Sequence, residues 1–83
     1  MKLLYFAWVR ERIGLTEEEV VLPDAVATVG DLVAWLASRG PEYKYALADP
    51  SVIRIAVDRV HAGRDEPVAG AREVALFPPM TGG

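Results

Sequence analysis

The chain has 83 residues, of which 52% are hydrophobic and 25% are charged, and its formal net charge is −3. This is the composition of one globular domain, whose core leaves too little enclosed space for an active-site cavity, so we do not expect a self-contained enzyme. Acidic and basic residues are mixed along the chain without the basic stripe that neutralises nucleic-acid phosphates, which argues against nucleic acid as a partner.

The first quarter of the chain predicts a hairpin with a loose connection. Residues 2–9 are apolar, aromatic and β-favouring, and their alternation predicts a strand with Leu3, Tyr5 and Ala7 facing the core. Residues 10–14 predict a turn or a single helical turn closed by glycine, and residues 18–22 predict a second strand. The acidic run at residues 17–19 is expected to be a solvated entry to that strand.

The middle of the chain predicts one secure helix. Thr28 and Asp31 have the spacing of a capping box, and a helical stripe follows until Gly40, formed by Val29, Leu32, Val33 and Leu36. Residues 41–50 are ambiguous and are compatible with a short helical turn over residues 45–48.

The last third predicts three strands. Residues 52–57 alternate in the manner of a half-buried strand, a short strand follows at Val60 and His61, and residues 73–77 form the last one. Pro78 and Pro79 end it because proline cannot donate to a ladder. The element order predicts an α+β fold, with a mixed sheet of about five strands and one main helix packed on one face.

The other face of such a sheet is a candidate binding surface. Alternation places Leu4, Phe6, Ala75 and Phe77 on it, and if the first and last strands are neighbours, the two phenylalanines lie together. Contiguous exposed apolar surface usually marks a binding site. The alternatives are scattered surface hydrophobes or a strand register that is wrong by one residue.

The chain ends in a segment that belongs to no element, so we divide it into a domain of residues 1–77 and a tail of residues 78–83. Two prolines stiffen the exit from the sheet, whereas Gly82 and Gly83 have no side chains and can thread a narrow channel. The tail can thus deliver the carboxylate of Gly83 to the active site of another protein. The alternative is a frayed terminus.

Other chemistry is poorly supported by the residues. The chain has no cysteine, so a disulfide or a cysteine-ligated metal is excluded and any sulfur chemistry must use a group other than a thiol. His61 is the single histidine and has no partner at ligand spacing, so we expect no metal site. The apolar start is too short for a membrane span and lacks a signal-peptide pattern, so we expect a cytoplasmic protein without a membrane partner.

Three stretches carry a likeness to a known family: residues 4–11 (LYFAWVRE), 56–58 (AVD) and 73–83 (EVALFPPMTGG). They resemble the small, sulfur-carrying subunits of molybdopterin synthase, and the likeness covers essentially the whole chain. The resemblance implies a ubiquitin-like β-grasp fold with a flexible Gly-Gly tail. Two departures are mild: the family often has asparagine where Asp58 stands and valine where Met80 stands, which leaves a question about partner identity.

The resemblance also implies a function. Gly83 would be adenylated with ATP by an adenylyltransferase resembling ubiquitin-activating enzymes, and a sulfur donor would convert this transient adenylate to a thiocarboxylate. The large subunit, in a heterotetramer of two small and two large subunits, would then place the sulfur on cyclic pyranopterin monophosphate. No cofactor would be bound permanently, and the catalytic residues would lie on the partners.

By the same resemblance, Thr81 and Gly82 would lie in the partner's channel, and Phe6, Arg10, His61 and Phe77 would contact the partners. Other readings stay open. A carrier for thiamin synthesis or transfer RNA thiolation shares the fold and the Gly-Gly end, as does a ubiquitin-like protein modifier. A plain interaction module is the third alternative.

Overall fold

The computed structural model describes residues 1–79, which form one five-stranded mixed sheet with helices on one face. The strands are β1 (Lys2–Tyr5), β2 (Glu17–Glu19), β3 (Arg54–Val57), β4 (Val60–His61) and β5 (Glu73–Phe77). The α-helices are α1 (Ala7–Ile13), α2 (Val29–Ala37) and α3 (Pro41–Ala46), and a 3₁₀ turn covers Pro50–Val52. The predicted α+β, ubiquitin-like β-grasp class is confirmed, with two short helices beside the main one.

The last strand of the chain is the central strand of the sheet, whose order is β2-β1-β5-β3-β4. β5 pairs with β1 in parallel, with Leu4 opposite Ala75, and with β3 in antiparallel, with Arg54 opposite Phe77. Every other pairing is antiparallel. The chain therefore leaves the sheet from its middle, between the end of β1 and the start of β3.

The core lies between the sheet and the helices. Because strand side chains alternate between faces, β1 and β5 each contribute two fully buried residues to the same side. The predicted stripe of α2 packs on them and is almost fully buried. These two groups are Leu3, Tyr5, Val74 and Leu76 from the sheet, and Val29, Leu32, Val33 and Leu36 from α2.

The predicted capping box of α2 is present. The Asp31 N–H donates to the Thr28 hydroxyl over 3.2 Å, and the Thr28 N–H donates to the Asp31 carboxylate over 3.2 Å. The backbone N–H groups of Ala27 and Thr28 favour the ionised carboxylate and so lower the pKa of Asp31. Donors at the helix start that would otherwise lack partners are satisfied in this way.

The prediction of a strand over residues 2–9 is wrong beyond Tyr5. The chain turns at Phe6 and enters α1 through Ala7, which has a positive φ of 51° and is exposed rather than core-facing. The helical period decides the outcome, since Val9 and Ile13, four residues apart, are both buried. The predicted turn at residues 10–14 is the second half of this helix, which Gly14 ends at a φ of 90°.

Three smaller boundaries also differ from the predictions. β2 covers Glu17–Glu19 rather than residues 18–22, because β1 pairs only as far as Glu19. The helix predicted at residues 45–48 is Pro41–Ala46, since Pro41 suits the first turn of a helix, where no N–H partner is needed. β3 begins at Arg54 because the preceding residues form the 3₁₀ turn.

Candidate functional site

The helices cover only one face of the sheet, and an apolar row crosses the open one. Directly opposed residues share a face, and the register joins Leu4 to Ala75, Ala75 to Ala56, and Ala56 to His61. Phe77 lies two residues after Ala75 and so takes the same face. We call this set, together with Phe6, the open-face patch: Leu4, Phe6, Ala56, His61, Ala75 and Phe77.

Two residues predicted to contact a partner meet directly in the open-face patch. The rings of His61 and Phe77 form a T-shaped pair, with centroids 5.6 Å apart and planes at 80°. Such pairs contribute about 0.5–1.5 kcal/mol beyond the area they bury. The edge strand β4 thus holds the imidazole against the aromatic ring at the end of the central strand.

Phe6 lies at the same end of the sheet as Phe77. Its N–H donates to the Leu76 carbonyl over 3.2 Å, and its backbone is still extended, so its side chain takes the face opposite to Tyr5. The residue is 46% exposed. The predicted assignment of residues to the two faces of the sheet is therefore correct for β1 and β5, and a register error of one residue is excluded. Two phenylalanines, Phe6 and Phe77, flank the point where the chain leaves the sheet.

Arg10 lies on α1 rather than directly after a strand. Its N–H donates to the Phe6 carbonyl over 3.3 Å, which places it one helical turn from the open-face patch. The side chain is exposed and makes no ion pair within residues 1–79. The predicted ionic contact of Arg10 with a partner stays a prediction.

The predicted tail residues Thr81, Gly82 and Gly83 lie outside the described residues, as does Met80. Pro78 and Pro79 are described and are half-buried. They follow Phe77, which is paired with Arg54 across the sheet. The described part of the chain therefore ends two residues after the pairing of Phe77 with Arg54.

Asp58 has a structural role that asparagine, which the family often has at this position, can also fill. It and Arg59 form the two-residue β3–β4 hairpin loop, with φ values of 48° and 71°. The Asp58 carboxylate accepts the N–H groups of Arg72 and Glu73 over 2.9 and 3.0 Å, so it ties the hairpin to the start of β5. Asparagine offers the same oxygen and also tolerates positive φ, so either residue can occupy this turn.

Glu18 is the main feature that the sequence analysis missed. Its carboxylate accepts the hydroxyl groups of Tyr5 and Tyr43 over 2.7 and 2.6 Å and an Arg39 N–H over 2.9 Å. Its side chain is only 14% exposed, so the expectation of a fully solvated acidic run is wrong at this position. Alternation in β2 was the available signal, because it turns Glu18 to the face opposite to Glu17 and Glu19.

The hydrogen bonds control the ionisation of this cluster. Burial disfavours the Glu18 carboxylate, but the bonds from Tyr43, Tyr5 and Arg39 outweigh it and lower the pKa of Glu18. Burial and the bond to Glu18 raise the pKa of Tyr43 to about 12 and that of Tyr5 further. The cluster joins β1 and β2 to the end of α2 and to α3, so it stabilises the fold.

Within residues 1–79, the histidine, aspartate and glutamate side chains form no group of three or more that could hold a metal ion. None of the helices described is long and apolar enough to cross a bilayer.

Known proteins resemble this chain over its whole length. A model of the ThiS family matches residues 3–83. The molybdopterin synthase sulfur carrier subunit of Escherichia coli is 36% identical over 83 residues, which are 100% of this chain and 99% of that protein.

Two solved structures share the fold. One is the putative molybdopterin converting factor, subunit 1, from Pyrococcus furiosus, with a TM-score of 0.77, 28% identity and 95% of both chains covered. The other is the Haloferax volcanii small archaeal modifier protein 1, with a TM-score of 0.74, 28% identity, and 96% of this chain and 97% of that chain covered.

Proposed function

Since the chain belongs to the ThiS family and is a sulfur carrier of that type, we propose that it supplies sulfur to molybdopterin synthesis through Gly83. The observation that carries the proposal is the 36% identity to the Escherichia coli carrier subunit over the whole of this chain. The position of the open-face patch supports this proposal. A partner that receives the tail meets apolar surface at the point where the chain leaves the sheet.

The proposed chemistry begins at the carboxylate of Gly83. An α-carboxyl group, with an ordinary pKa near 3.5, is ionised at neutral pH. One oxygen attacks the α-phosphorus of ATP on an activating adenylyltransferase, the bond to the β-phosphate breaks, and pyrophosphate leaves. Sulfide released by a donor then attacks the carbonyl carbon, the bond between this carbon and the bridging oxygen breaks, and AMP leaves with that oxygen. Loss of the S–H proton yields a thiocarboxylate. Because the chain has no cysteine, it has no side-chain thiol that could carry this sulfur.

The second half of the reaction takes place on a large subunit, in an assembly of two small and two large subunits. The large subunit holds the catalytic residues and transfers sulfur from the thiocarboxylate to cyclic pyranopterin monophosphate. Thr81 and Gly82 lie in its channel, and the six residues 78–83 span at most about 20 Å when extended. The protein acts in the cytoplasm, binds no permanent cofactor, and its domain of residues 1–77 serves to present the tail.

The open-face patch is the proposed docking surface. Phe6 and His61 are exposed and Phe77 is half-buried, so together they supply accessible aromatic surface beside the end of β5. Arg10 supplies an exposed charge one helical turn from Phe6. Aromatic and arginine side chains carry much of the binding energy at protein interfaces. This surface serves the activating enzyme and the large subunit in turn, since both must receive the same tail.

A second candidate function is protein modification, in which Gly83 is joined to lysines of target proteins. It is favoured by the likeness to the Haloferax volcanii protein, which is named small archaeal modifier protein 1. Incubation of the protein with lysate of its host and ATP distinguishes the two functions, because a modifier gives a ladder of conjugates and a dedicated carrier does not. Molybdopterin formation in the presence of the large subunit distinguishes the proposed carrier from carriers for thiamin synthesis or transfer RNA thiolation.

The decisive experiment for sulfur carriage is intact mass spectrometry of the protein purified from its native cells. A carrier shows a fraction whose mass is raised by the exchange of one oxygen for sulfur, and this fraction reacts with a thiol alkylating reagent, whereas an oxidised protein does not. Absence of an alkylatable fraction would refute the proposal, and so would the absence of pyrophosphate exchange in the presence of the activating enzyme.

A further inference from the structure

The surface between α1 and α3 carries an arginine held by two aromatic rings. The guanidinium carbon of Arg12 lies 4.4 Å from the centroid of the Trp8 ring and 4.6 Å from that of the Tyr45 ring. Trp8 precedes Arg12 by one helical turn on α1, and Tyr45 lies on α3. We call these three residues the arginine–aromatic cluster.

The two rings order the guanidinium of this cluster, which has no hydrogen-bond acceptor among the described residues 1–79. Within residues 1–79, Arg12 makes no ion pair and its side chain donates no hydrogen bond, whereas the guanidinium of Arg39, which also lies over two rings, is bonded to Glu18. Contact with aromatic faces leaves the N–H groups at the edge of the guanidinium plane available. Arg12 is exposed, so these donors face solvent in a fixed position.

The cluster lies on a different flank of α1 from Arg10. With 100° between successive helical residues, Trp8 and Arg12 are about 40° apart around the axis, whereas Arg10 is about 200° from Arg12. Val9 and Ile13 point into the core between these two flanks. Yet α1 starts directly after Phe6, whose N–H is bonded to Leu76 at the end of β5. Trp8 of the cluster therefore lies two residues after Phe6, near the end of the sheet at which β5 ends, and the cluster is separate from the open-face patch.

We propose that the arginine–aromatic cluster is a second docking surface, which receives an acidic side chain of the activating enzyme while the open-face patch and the tail are engaged. This inference rests on the proposed function. A guanidinium fork with available donors matches a carboxylate, which accepts two parallel hydrogen bonds. Exposed charge pairs contribute more to the rate of association than to lasting affinity. Such charge pairs therefore suit the activating enzyme, which must bind and release the carrier at every turnover. They suit a stable contact with the large subunit less well.

The test is pyrophosphate exchange by the host's activating enzyme with carrier variants that have matched charge changes. Arg12→Met keeps a long side chain against the rings and removes the guanidinium, Arg12→Lys keeps the charge without the fork, and Arg72→Met is the control. Arg72 is exposed at the start of β5, at the opposite end of that strand from the exit. Thermal unfolding of each variant verifies that the fold is retained.

We expect Arg12→Met to raise the KM for the carrier about fivefold, the scale of one exposed ion pair, with kcat unchanged. The KM of Arg12→Lys should fall between those of Arg12→Met and the wild type, and the KM of Arg72→Met should stay within about twofold of the wild-type value. The difference in KM between Arg12→Met and the wild type should shrink at about 0.5 M salt, which screens exposed charges. Affinity for the large subunit, measured by calorimetry, should be unchanged.

The outcomes separate this inference from the proposed function. If the wild type supports exchange and Arg12→Met has the KM of Arg72→Met, the cluster is not a docking surface and the carrier function stands. An equal loss of affinity for the large subunit would also overturn the inference, because it assigns the contact to the activating enzyme. If the wild type itself supports no exchange, both fail.

Discussion

Replacing Glu18 by glutamine should destabilise the protein strongly, although the side chains differ by one group. The carboxylate accepts three hydrogen bonds of 2.6–2.9 Å from Tyr5, Tyr43 and Arg39. A hydrogen bond to a charged group contributes about 1.5–3 kcal/mol, against about 0.5–1.5 kcal/mol for a neutral pair, so each bond loses about 1 kcal/mol. Three such losses give about 3 kcal/mol, a large share of the stability of a small domain.

Urea unfolding at pH 7, followed by circular dichroism, measures this loss. Glu17→Gln and Glu19→Gln are matched controls, because these neighbours lie on the opposite face of the same strand and are exposed. Each should change the free energy of unfolding by less than about 1 kcal/mol, as expected of surface pairs. If Glu18→Gln unfolds at the same urea concentration as these two variants, the hydrogen bonds to Glu18 do not stabilise the fold.

The same cluster predicts how stability depends on pH. The pKa of Glu18 is lowered in the folded state from 4.5, so its contribution is present above about pH 4.5 and is lost as the pH falls through the folded value. The difference in the free energy of unfolding between the wild type and Glu18→Gln should therefore become smaller in acid. At the alkaline end, Tyr43 has a pKa raised from 10.0 to about 12, so its contribution is lost as the pH rises across that interval. A difference that is constant from pH 3 to pH 7 would contradict this assignment.

Three further predictions concern the core, the patch and the tail. Leu36→Ala should lower the free energy of unfolding by about 2–5 kcal/mol, because this fully buried residue belongs to the α2 stripe; an unchanged denaturation midpoint would contradict this placement. Phe77→Ala should weaken binding to the large subunit about thirtyfold without unfolding the domain, whereas Val60→Ala, on the opposite face of β4, should bind normally. Deleting Gly83, or adding one residue after it, should abolish pyrophosphate exchange, since the carboxylate is displaced by about 3.5 Å or lost in a peptide bond; activity after either change would show that the terminus is not the reactive group.

Much of the fold follows from local patterns that can be read along the chain. The capping box and stripe of α2 need only residues within one or two helical turns, and the alternation of β3 and β5 needs only next-nearest neighbours. The error at β1 has the same local origin. Residues 6–9 are apolar in a pattern that suits both a strand and a helix, and only the burial of Val9 and Ile13 in the core selects the helix.

The functional residues differ in how far the sequence could predict them. The Gly-Gly end and the phenylalanines were recognisable because the motifs that contain them are continuous in the chain. The contact between His61 and Phe77 depends instead on the register of two strand pairs. The arginine–aromatic cluster was not foreseen, because Trp8 and Arg12 were assigned to a strand and a turn, and Tyr45 lies in a segment whose structure was ambiguous.

The sequence by itself determined the fold class, the main helix, the last strands and the family. Only the tertiary structure decided which side chains meet. The reason is the insertion of β5, the last strand in the chain, between β1 and β3. This pairing closes loops of more than sixty residues between β1 and β5, and no local pattern encodes it. It places the end of the domain beside Phe6, and the packing of helices behind the sheet brings Glu18 to its three donors and Arg12 to its two rings.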